Sequence, residues 1–189
     1  MSQLLQLREA VIEAIKAALP GFKDVKGHLG RFSASDLSTF IMAAPAVRVA
    51  VLGIADARAA DAGDGIDCTA RLAIYVVTRD TAGLTRDEAA TAAVERIALL
   101  ATGNRWGLDF TLPADAPNAQ NLFSDETLKK GVALWATDLP QPVALSLPAD
   151  PAELPAGPLR ELFIGWAPKV GAAHESDYVG PFPEASADD

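Results

Sequence analysis

The chain holds a single cysteine, Cys68, and only two histidines, His28 and His174, in 189 residues. One cysteine excludes an intrachain disulfide framework. Two histidines leave few candidates for metal binding or acid–base chemistry. Aromatic residues make up 6% of the chain, and 16 basic residues face 25 acidic ones. The formal charge of −9 and pI near 4.7 argue against a nucleic-acid surface, which needs a basic patch. No apolar run approaches the roughly 18 residues of a membrane helix. No basic segment leads into an apolar one at the N-terminus, so no signal peptide is expected and the chain should be made and kept in a cytoplasm.

Catalytic motifs are missing as well. There is no Gly-rich loop ending in Lys-Ser/Thr, no G-x-G-x-x-G after a strand, and no G-x-S-x-G elbow. The run Asp61 to Asp67 has the look of a calcium loop but places Gly63 and Gly65 where side-chain oxygens are needed, and no bidentate Glu follows. His174-Glu175 lacks the second histidine of a zincin. His28 reads as a strand-end histidine bonded to backbone, and Cys68 as a small hydrophobe on an apolar strand face. Asp87 and Glu88 are adjacent on a helix and do not converge on one face. No catalytic residue, cofactor or metal site is expected, and the chain is not expected to be an enzyme.

Hydrophobic residues account for 50% of the chain, much of it alanine, with a mean hydropathy of +0.16. The length predicts one domain with a tail. A body of about 145 residues buries roughly 68–70% of its unfolded-chain surface, enough for a core. Ser2 to Leu19 repeats Leu4, Leu7, Val11, Ile15 and Leu19 at helical spacing, with Ser2 placed to cap it. Pro20-Gly21 stops that helix. Phe22 to Leu29 predicts a short strand with Phe22 and Val25 turned inward. Ser33 to Asp36 has capping-box spacing and opens a short helix through Leu37, Phe40, Ile41 and Met42. Pro45 closes it.

Ala46 to Ile54 reads as a strand, Ala57 to Gly65 as a polar loop, and Cys68 to Thr78 as a second long strand antiparallel to the first. Cys68, Ala70, Leu72, Ile74 and Val76 should share one face, with Thr69, Arg71, Tyr75 and Val77 on the other. Thr85-Arg-Asp-Glu88 is a capping box opening a helix to about Thr102, which Gly103 stops. Thr111 to Asn118 is a loop. Strands around Leu122 and from Val132 to Thr137 complete the sheet, and Pro140 and Pro142 argue that the chain then leaves it or runs along an edge. From Pro148 onward the texture changes. Seven of the thirteen prolines lie in this tail, as do eight acidic and two basic residues, so it carries −6 of the net −9. Residues 148–189 are therefore read as a Pro-rich acidic arm after a body of residues 1–147. Leu159, Leu162, Phe163, Ile164 and Trp166 form an apolar knot within the arm, suited to gripping another subunit or folding back on its own domain.

Several segments in order resemble one family. They are Gly30-Arg31-Phe32, Pro45-Ala-Val-Arg48-Val, Tyr75-Val-Val-Thr-Arg79, Arg105-Trp106-Gly107-Leu108, Asn121-Leu-Phe-Ser124 and Gly131-Val-Ala-Leu-Trp135. Together they are similar to the tail terminator proteins of Mu-like long-tailed phages over roughly Leu4 to Leu147. The resemblance implies a compact α/β (α+β) fold, with a mainly antiparallel or mixed sheet and helices packed on one face. It implies a six-fold ring of copies on the head-proximal end of the tail tube, which stops tube polymerisation and docks the head–tail connector or stopper. DNA would pass through the ring without specific binding, and no membrane is involved. The place implied is the neck of the virion tail, assembled in the host cytoplasm.

Arg31, Arg71 and Arg105 are the candidates for intersubunit ion pairs, Trp106 for a core or interface anchor, and Leu159, Phe163 and Trp166 for contacts of the arm. The nearest alternative is a head-closure or other neck or tail-completion protein. The alternative of a different class is a small-ligand-binding domain or an enzyme.

Overall fold

Ser2 caps helix α1 (Gln3–Ala18) by accepting a hydrogen bond from the Leu5 amide at 3.4 Å. The helical spacing puts Leu7, Val11, Ile12 and Ile15 on one buried face. Burying each such side chain contributes about 1.5–3 kcal/mol before the entropy of ordering it. The computed structural model describes residues 2–30, 39–60, 65–122, 127 and 129–147. After α1 come strands β1 (Asp24–His28), β2 (Ala46–Ala59) and β3 (Gly65–Arg79), helix α2 (Arg86–Ala101), and strands β4 (Asn118–Asn121) and β5 (Val132–Ser146).

The strands form one five-stranded sheet in the order β1-β2-β3-β5-β4. The β1–β2 pair is parallel and the other three are antiparallel. The fold is therefore α+β with a mixed sheet, as the family resemblance implied. Strand alternation divides β3 as expected. Cys68, Ala70, Leu72, Ile74 and Val76 join the core under α1 and α2 with Val47, Val49, Leu139 and Val143. Ala73, Tyr75 and Val77 point the other way.

That second face has a cover which the long helices do not supply. A helical turn at residues 39–42 places Phe40 and Ile41 over Ala46, Tyr75, Val77, Val132 and Leu134. Its expected capping box at Ser33–Asp36 lies outside the described residues. Two arginines hold the turn from below. The Arg48 guanidinium sits 5.1 Å from the Phe40 ring centroid, and Arg79 Nη2 donates to the Ile41 carbonyl at 2.8 Å. The Ala44–Pro45 peptide that follows is cis.

The strand bounds depart from the sequence reading: β1 is shorter than the expected 22–29, and β3 is longer than the expected 68–78, taking in Gly65 from the loop. Strand β2 continues to Ala59, so Ala57, Arg58 and Ala59 are strand and not loop. Register shifts at Val51/Gly53 and Ala55/Arg58 let it do so despite its Gly and Asp residues, because a bulge absorbs an ill-fitting residue without ending the ladder. Strand β4 ends at Asn121, one residue before Leu122. Strand β5 runs on to Ser146, past both prolines.

The reason for this last departure is parity. The Leu112 amide donates to the Pro142 carbonyl at 3.0 Å, and the Ala144 amide to the Phe110 carbonyl at 2.8 Å. Even-numbered residues of β5 therefore direct their backbone away from β3, and Pro140 and Pro142 are both even. Their missing amides fall on the side where β4 has already ended, since β4 pairs only as far as Asp138. Every residue from Val132 to Ser146 keeps its place opposite β3. The prolines stand where β4 has left the strand, and beside Pro142 the bridge of Thr111 to Val143 takes its place.

Helix α2 begins as its capping box predicts. The Thr85 hydroxyl accepts from the Glu88 amide at 3.3 Å, and Glu88 Oε2 accepts from the Thr85 amide at 2.9 Å. These bonds from Thr85 hold the Glu88 carboxyl below its ordinary value. At the other end Gly103 takes a positive φ of 73°, as a helix stop requires.

Candidate functional site

The chain passes from α2 to β4 through a turn at residues 103–114 that is bonded at nearly every step. The Gly103 amide donates to the Ala114 carbonyl at 2.9 Å, and the Ala114 amide returns a bond to Asn104 at 3.0 Å. Asn104 Oδ1 accepts from the Trp106 amide at 2.7 Å. Trp106 itself is held at a φ of 57°, a region rarely adopted by a bulky residue. Its ring lies in the main core, and Nε1 donates to Gln141 Oε1 at 2.7 Å. Gln141 is fully buried on β5, and its amide nitrogen donates to the Leu112 carbonyl at 2.5 Å. One side chain thus ties the turn to the sheet from both ends. Buried polar groups satisfied in this way specify a unique packing.

Arg105 and Trp106 are neighbours with opposite tasks. Arg105 turns outward and donates to the carbonyls of Thr111 at 2.7 Å and Asp109 at 3.3 Å, bracing the turn. Arg71 lies on the sheet face away from α1 and α2, in an exposed ion pair with Asp138. The three are not gathered into one cluster: Trp106 is committed to the chain's own core, and Arg71 occupies the opposite face. Arg31, Leu159, Phe163 and Trp166 lie outside the described residues.

Two features escaped the sequence reading. Gln141 was detectable as a polar residue at a core-facing parity between two prolines. The second is the Asp24–Arg48 pair, where Arg48 Nη2 meets Asp24 Oδ2 at 2.5 Å and Lys26 approaches Oδ1 at 2.8 Å. Burial opposes ionisation of Asp24, but the bonds and charges of Arg48 and Lys26 outweigh it and hold the carboxyl below its ordinary value. This pair needs the parallel β1–β2 register that sets Lys26 opposite Arg48. For Cys68, burial and the neighbouring Asp67 charge push the thiol upward, away from the thiolate that reactivity requires.

No group of three His, Cys, Asp or Glu among the described residues could hold a metal ion, and none of their helices is long and apolar enough to cross a membrane. Among the described residues the sheet ends in two unlike strands. Strand β1 ends the sheet with Lys26 and Gly27 exposed. Strand β4 ends it with the uncharged Asn118, Gln120 and Asn121. Beside β1 a groove of about 430 Å³ runs between the start of α1 and β2, lined by Leu4, Leu5, Arg8, His28, Leu29 and Val51.

No curated protein matches the chain. The family described as Bacteriophage Mu, Gp37 matches residues 3–142, which takes in α1, the whole sheet almost to the end of β5, and the braced turn at residues 103–114. The chain is a Mu-like phage protein and belongs to the Bacteriophage Mu Gp37 family.

Proposed function

We propose that the chain is the tail terminator of a Mu-like long-tailed phage. Six copies close into a ring on the head-proximal end of the tail tube, stop its polymerisation and present a surface to the head connector or stopper. The observation that carries this reading is the family match, which covers the body from α1 into β5 and includes all six of the landmark segments that resemble tail terminators. The sheet geometry is compatible with it. A ring is built from heterologous contacts, in which one patch of a subunit meets a different patch of the next. Strands β1 and β4 offer two edges of different character, one charged and one neutral.

Residues 1–147 are the ring-building body in this reading, and the acidic arm after Leu147 adds contacts between copies. DNA passes through without specific binding. The chain's net charge of −9 favours this, because a basic lumen would hold the polyanion by releasing its counterions.

Native mass spectrometry of the purified chain, alone and then mixed with its cognate tail-tube protein, tests the reading. A hexamer, or a monomer that closes into six on tube ends and halts their growth, is expected. A chain that ignores tubes and binds the head connector is a head-closure protein instead. Indifference to both partners sinks the neck assignment altogether.

A further inference from the structure

We draw no further inference here: the strongest candidate, the apolar groove beside β1 at the start of α1, leaves Leu5 and Leu29 exposed, and nothing in the structure shows what covers it.

Discussion

Gln141 shows how a single side chain can hold a whole turn. Replacing it with leucine keeps the volume but leaves the Trp106 indole N–H and the Leu112 carbonyl without their partner. A buried group so orphaned costs about 1–3 kcal/mol. Gln141→Leu is therefore expected to lower unfolding free energy by about 2–4 kcal/mol in urea, and Trp106→Phe by less. A loss below about 0.5 kcal/mol would show that the turn is held by its backbone bonds alone. Asp24 makes a prediction in pH. Its folded carboxyl is held below the ordinary value of 3.8, chiefly against burial, by Arg48 and Lys26. The stability this adds is complete above the ordinary value and is lost as pH falls through the folded one. Asp24→Asn should cost about 1–2 kcal/mol at pH 7, since Arg48 is left with only 13% of its side chain exposed. The deficit should shrink below about pH 4, read as melting temperature against pH. A deficit independent of pH down to 2 would mean that the charge is not what matters. Trp106 was visible in the sequence as a landmark; its pairing with Gln141 was not, because the bond spans 35 positions.

At the scale of elements, β5 carries the clearest test. Its prolines sit where the backbone faces away from β3, so Pro140→Ala should change stability by less than about 0.5 kcal/mol. Val143→Pro places the same ring at the opposite parity, toward Cys68 on β3. It removes a ladder bond and disturbs a residue only 1% exposed, with an expected cost of about 2–4 kcal/mol. Equal effects of the two changes would refute the parity account. Both helices were legible because their signals are local: a cap and a periodic face for α1, a reciprocal capping box for α2. The length of β2 was not, because the bulges that extend it are defined only by the strand opposite. Gly65 is a related case. A Cβ there would lie 2.2 Å from the Leu145 carbonyl oxygen, a demand set by a residue 80 positions away.

For the whole molecule, all the buried core residues described fall between Leu7 and Val143. A chain ended after Leu147 should therefore fold, keep its near-UV circular dichroism and melt within about 4 °C of the full-length protein. By the proposed function, in which the arm adds contacts between copies, it should also lose its hexamers in native mass spectrometry. Melting more than 10 °C lower would make the arm part of the core. Hexamers that survive truncation would leave ring closure to the sheet edges alone.

The sequence by itself determined what depends on near neighbours: the two helices and their caps, the alternation that splits β3 between two faces, the change of composition at Pro148, and the ordered segments that mark a Mu-like phage protein. Only the tertiary structure decided the rest. It set the β1-β2-β3-β5-β4 order, the face of the sheet that the expected turn at residues 39–42 covers, the Trp106–Gln141 and Asp24–Arg48 pairs, and the groove beside α1. Each of these depends on contacts between residues far apart in the chain. Local propensity and periodicity carry no record of which distant strand a residue will face, and that choice is made by burying the whole core at once.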